Sequence, residues 1–144
     1  MTLLTTAQTE RLLYNGSPEQ REKDHHPVVK LFSPDANATW LLTELLPDEN
    51  GIAFGLCDLG HGEPELGYVS LAELATVRGR LGLPVERDLY FEAEFPLSVY
   101  TKAARLCRRI TTDRVELTYA EDVILGEEMN AQERNQTADG PKPI

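Results

Sequence analysis

An α+β fold, with an antiparallel meander sheet of four to five strands and helices mainly on one face, is predicted by three observations. Four runs rich in strand formers follow one another across connections of a few residues, whereas parallel crossovers need about a dozen or more. The turns Asn50-Gly51 and Gly60-His61-Gly62 punctuate those runs with residues that accept positive φ. Further on, Leu89, Phe91, Ala93 and Phe95 alternate with Asp88, Tyr90, Glu92 and Glu94, which gives that segment one dry face and one wet face.

Each element has a local reason. Thr5 or Thr6 can cap a first helix, and Gly16 can end it as a left-handed residue, with Leu3, Leu4, Leu12 and Leu13 turned to the body. Residues 17–27 are polar and bracketed by prolines, a loop long enough to point to a role or to disorder. Strands are expected at 28–32, 38–45, 52–59 and 65–69. Ser70 and Glu73 then form a capping box ahead of Leu71, Leu74 and Val77, and Gly79 closes that helix. A strand over 88–95 follows, and its wet side implies that one sheet face is partly solvated.

From Ser98 the spacing of Val99, Ala103, Leu106 and Ile110 predicts a helix, with Lys102, Arg105 and Arg109 on one flank. Residues 111–125 fit either a strand, through the alternation of 114–119, or a helical turn. Residues 126–144 are polar and nearly free of large apolar groups, and are expected to be a disordered tail. The chain therefore reads as one domain over 1–125 followed by that tail.

Charge narrows the function. With 144 residues, a formal charge of −10 and a pI near 4.7, the chain repels nucleic acid and anionic membranes and favours a basic protein partner or a divalent cation. The opening residues lack a signal-peptide pattern, and no apolar run approaches the roughly 20 residues of a membrane span. A cytoplasmic location is expected, with Cys57 and Cys107 as reduced, buried thiols.

The residues offer few chemical constellations. Asp58, His61, Glu63 and Glu65 lie in one glycine-rich turn and could bind a divalent metal, to which His25, His26 and Asp35 could add ligands from the preceding loops. Arg78 and Arg87 could clamp a small anion. Glu44, Asp88, Glu92 and Glu94 belong to an acidic stretch that could meet a protein partner or mimic DNA phosphates. No serine sits in a Gly-x-Ser-x-Gly elbow and neither cysteine has a histidine close in sequence, so binding is weighed above catalysis. No organic cofactor is predicted, because Gly55, Gly60, Gly62 and Gly67 match neither a dinucleotide fingerprint nor a P-loop.

The strings Pro27-Val-Val-Lys-Leu-Phe-Ser-Pro-Asp-Ala-Asn-Ala-Thr-Trp-Leu-Leu-Thr-Glu44, Phe54-Gly-Leu-Cys-Asp-Leu-Gly60, Glu65-Leu-Gly-Tyr-Val-Ser-Leu-Ala-Glu-Leu74 and Gly82-Leu-Pro-Val-Glu-Arg-Asp-Leu-Tyr-Phe91 resemble a small bacterial family of unknown function. The resemblance covers roughly residues 3–105. It implies a protein carried on plasmids and integrative or conjugative elements, near genes for conjugation, DNA maintenance and antirestriction, and it transfers no site residues. The expectation is a non-catalytic accessory protein of a mobile element that binds a protein partner through an acidic surface. Two alternatives stand beside it: a metal-dependent hydrolase or nuclease at Asp58, His61, Glu63 and Glu65, and a binding module for a small anionic ligand.

Overall fold

The computed structural model describes residues 2–139. Strands β1 (Val29–Phe32), β2 (Thr39–Leu45), β3 (Ile52–Asp58) and β4 (Glu65–Ser70) form the meander, and the short β5 (Glu86–Arg87) pairs with the free edge of β1. The sheet order is β4-β3-β2-β1-β5, antiparallel throughout. Helices α1 (Thr6–Asn15), α2 (Leu71–Leu74), α3 (Leu97–Cys107) and α4 (Arg114–Asp139) complete an α+β domain. Among the described residues no helix is long and apolar enough to cross a membrane.

The helices divide between both faces of the sheet, where one face had been expected to carry most of them. Trp40, Leu41 and Leu42 are consecutive and all buried, so β2 needs apolar cover on both sides. Trp40 and Leu42 join Val29, Leu31, Ala53 and Leu12 of α1 in one cluster. Leu41 joins Leu56, Tyr100, Ala103 and Ala104 of α3 and Leu117 of α4 in the other.

Local signals decide several ends. Thr5 caps α1 in a reciprocal box with Gln8, whose backbone N–H donates to Thr5 Oγ1 at 3.0 Å. Gly16 is not left-handed: its φ is −84°. It is glycine because a Cβ there would lie 1.9 Å from the Leu45 carbonyl oxygen. Ser70 caps α2, but that helix stops after one turn, and Gly79 instead leaves room for the Asp35 carboxylate, which accepts from Leu81 and Leu83 N–H.

The strand expected over 88–95 does not form; the ladder ends just before it, at β5. Asp88 donates one more bond to Lys30 O, and its carboxylate then accepts from Tyr90 N–H at 2.9 Å, an Asx turn that breaks the ladder. The alternation still reports sidedness, since Phe91, Ala93 and Phe95 pack on the α3/α4 cluster while Glu92 and Glu94 are exposed. Leu89 departs from it at 68% exposure.

Segment 114–125 is helical rather than a strand, because Asp113 accepts from Val115 and Glu116 N–H and caps α4. The disorder expected from 126 onwards is corrected as far as Asp139, through which α4 continues. Glu, Gln, Ala, Met and Arg dominate 127–136 and favour helix without tertiary burial, and all ten of those residues are exposed. The rest of the expected tail, 140–144, lies outside the described residues.

Gly55 and Gly67 face each other across β3 and β4. A Cβ on Gly55 would lie 2.0 Å from Leu41 O, whereas one on Gly67 would meet nothing within 4 Å. Gly55→Ala should destabilise by about 1–3 kcal/mol through forced strand separation. Gly67→Ala should be neutral or stabilise by about 0.4–1 kcal/mol. Urea melts of the two variants test this, and equal effects would contradict the close β2–β3 approach.

Candidate functional site

The site begins with one extra residue in β2. Leu42 pairs with Gly55, yet the next pair is Glu44 with Phe54, so Thr43 is a β-bulge. The Asn15 side chain at the end of α1 donates to Thr43 O at 3.0 Å, and Thr43 Oγ1 donates to Phe54 O at 3.4 Å. Side chains alternate along a strand, so one inserted residue reverses which face every later residue meets. Leu45 therefore returns to the α1 side beside Trp40 and Leu42. Glu44 turns to the opposite side beside Phe54.

There Glu44 lines a groove of about 520 Å³ between the sheet, residues 21–25, α3 and the middle of α4. It is only 7% exposed. Among the described residues its carboxylate has no hydrogen-bond or ion-pair partner. Burial pushes the carboxyl above its ordinary value, and the charges of His25 and Arg21 pull it part of the way back. Phe54 and Leu66 supply apolar floor.

The loop wall is held in place from far along the chain. Pro96 offers α3 no side-chain cap, and Asp24 takes that part by accepting from the Ser98 backbone N–H at 3.0 Å and from Ser98 Oγ. Leu97 N–H donates to His25 O at 2.8 Å, and the His25 ring nitrogen Nε2 lies 2.6 Å from Gln20 O. On the other wall Lys102 of α3 pairs with Glu127 of α4 at 2.7 Å. Arg21, Lys23 and Arg105 also line the groove and make no ion pair among the described residues.

The residues singled out from sequence are placed differently. Asp58 is buried, its two oxygens accepting from Gly60 N–H and Ile110 N–H at 2.9 Å each, so it ties the end of β3 to the α3–α4 connection. His61, Glu63 and Glu65 are exposed. Among the described residues no group of three His, Cys, Asp or Glu side chains is arranged to hold a metal. Arg78 Nη1 donates to Ala75 O and Val77 O, and Arg87 Nη1 to Thr2 O and Leu3 O. A groove of about 750 Å³ does lie beside these two arginines, on the α1 side, but both are engaged in tying backbone.

Of the acidic residues, Asp88 pairs with Lys30 at 3.4 Å and Glu94 with Arg114 at 3.5 Å, while Glu92 is exposed. Glu44, buried on a different element, does not extend that surface. Arg109 of the basic flank meets Glu116 at 3.3 Å. Cys107, Thr111 and Arg109 all donate to that carboxylate and hold it below the usual range.

A family model described as "Protein of unknown function (DUF2958)" matches residues 3–111. The chain belongs to this family. No curated protein and no solved structure matches the chain. The DUF2958 match spans the sheet, α1 to α3, the bulge and the loop wall of the groove, and only the α4 wall, Ile124 and Glu127, lies beyond it.

Sequence reasoning grouped Glu44 with surface acids, and missed the pocket. No sequence signal marks the bulge, because Leu45 is also in period with Leu41 on an uninterrupted strand.

Unfolding returns the Glu44 carboxyl towards its ordinary 4.5, so the folded chain keeps the proton to higher pH than the unfolded chain does. The group's stabilising contribution is therefore full below 4.5 and is lost as pH rises through the folded value. Glu44→Gln, uncharged throughout, should gain melting temperature relative to the native chain as pH rises from 4.5. Parallel melts across that range test it, and a pH-independent difference would contradict burial as the cause.

Proposed function

We propose that this chain is a binding protein, not an enzyme, and that it holds a small polar ligand in the groove against Glu44. One observation carries the reading: Glu44, only 7% exposed as a residue, has a carboxylate with no hydrogen-bond partner among the described residues, and that carboxylate is accessible from a groove of about 520 Å³. A carboxylate on a largely buried residue with no protein donor depends on what enters the cleft for its hydrogen bonds. Such a group in a cleft of ligand size is where a ligand completes the hydrogen bonding.

Catalysis has less support. Burial pushes the Cys57 thiol up to about 11 and Cys107 upward too, away from the reactive thiolate form. The metal-hydrolase alternative lacks the convergence of Asp58, His61, Glu63 and Glu65 that it requires. We assign the protein to the bacterial cytoplasm as an accessory of a plasmid or integrative element. The family resemblance supports that setting, as do two unpaired cysteines.

A second reading keeps the protein partner. The outer side of α4 exposes Val115, Tyr119, Leu125 and Met129 among carboxylates, a mixture that a partner with apolar and basic groups would cover. Binding of that kind would weaken with salt.

A thermal-melt screen of polar metabolites against the native chain and Glu44→Gln tests the groove reading. A ligand at 100 times its Kd adds about 2.7 kcal/mol to stability. The expected result is a hit that raises the native melting temperature by several degrees and is lost in the variant. If every hit acts equally on both proteins, or none appears, the groove reading is overturned.

A further inference from the structure

We infer that the ligand of this groove is a small molecule with paired N–H donors at one end and an anionic group at the other, the chemistry shared by a guanine nucleotide and a guanidino acid. This rests on the groove-binding reading above and names the ligand class. Three features of the groove demand three features of the molecule.

The first is the acid. An ionised carboxylate accepts hydrogen bonds and cannot donate them, and its two oxygens match two parallel N–H groups. No protein donor reaches Glu44 among the described residues, so the ligand supplies the N–H groups. A guanidinium presents such a pair, as does the edge of guanine that bears the ring N–H and the exocyclic amine.

The second is the mouth. Asp24 is engaged with Ser98, and Glu127 with Lys102. What is left around the opening is Arg21, Lys23 and Arg105 against Glu22 and Asp24, whose hydrogen bonds from Ser98 leave its charge in place; apart from Glu44 this is an excess of one positive charge, on a chain of net charge −10. A simple amine would gain Glu44 and be repelled by these cations. Inorganic phosphate would gain the cations and be repelled by Glu44. A molecule with N–H donors at one end and a phosphate or carboxylate at the other satisfies both.

The third is the floor. Glu44, Phe54 and Tyr68 form one cross-strand row, with the two rings 5.1 Å apart. Phe54 and Leu66 offer an apolar surface next to the carboxylate, against which a planar guanine or guanidinium can lie. The volume suits a mononucleotide or an amino acid.

The test is calorimetric titration of the full chain with guanosine monophosphate and with L-arginine, which separates the two sources. Inosine monophosphate lacks one of the paired donors, and guanosine and agmatine lack the anion. Binding by either parent probe, weakened about tenfold or more by loss of a donor or of the anion, is the expected result. Glu44→Gln should weaken it to a similar degree while folding normally, which its melt verifies. Arg21→Ala with Arg105→Ala should weaken it and flatten its salt dependence. If neither probe binds at millimolar concentration while other metabolites occupy the groove, the ligand class is overturned and the groove reading stands. If nothing occupies the groove, both fall. Equal binding to native and Glu44→Gln proteins overturns the inference directly.

Discussion

Thr43 has no ladder pair on β3, and the carbonyl it turns out of the ladder is taken by the Asn15 amide. Without that insertion the alternation of β2 would send Leu45 towards α3 and Glu44 into the apolar cluster around Leu12. A carboxylate among Leu12, Trp40 and Leu42 would have no donor and little water, a cost that no nearby contact offsets. The bulge removes this conflict. It lets Leu45 complete the α1 cluster and sends the carboxylate to the α3 side, where it lines a groove. Among the described residues the remaining oxygen of the Asn15 amide is buried without a partner, a small residual cost of holding the bulge from beneath.

Two other carboxylates do comparable work at a distance. Asp24 caps α3 and so fixes the loop wall at a set height above the sheet. Asp58 binds the backbone of Ile110 and anchors the start of the α3–α4 connection, beyond which Asp113 begins α4. Glu116 gathers Cys107, Thr111 and Arg109 at the same corner. The groove is thus bounded by elements locked through charged side chains, while Glu44, at its floor, is left without a lock. This contrast separates the structural acids from Glu44, the one we propose meets a ligand. It also shows that much of the chain's negative charge is structural: Asp24 and Asp58 serve backbone amides, and Asp88 and Glu94 meet cations.

The meander, the Thr5 and Ser70 caps and the Asn50-Gly51 turn were legible because each depends on residues a few positions apart. Gly51 has the expected positive φ of 74°. The 88–95 segment shows the limit of such reading. Its period of two states which side chains share a side, but says nothing of whether a neighbouring strand is present, and here an Asx turn at Asp88 ends the pairing. Segment 127–136 shows the reverse limit, since a lack of apolar residues excludes a core contact without excluding a helix.

An acidic α+β domain with an antiparallel meander and its principal turns follow from the residues alone, whereas the slip in β2 does not, since Leu45 is in phase with Leu41 as well as out of phase with Leu42. Only the tertiary structure decided that the helices cover both faces, that Asp58 is an anchor, and that Glu44 lines a groove. The reason is distance along the chain. Asn15 meets Thr43 across 28 positions, Asp58 meets Ile110 across 52, and Asp24 meets Ser98 across 74. A carboxylate's role depends on which donor reaches it, and for these residues that donor is brought up by the fold.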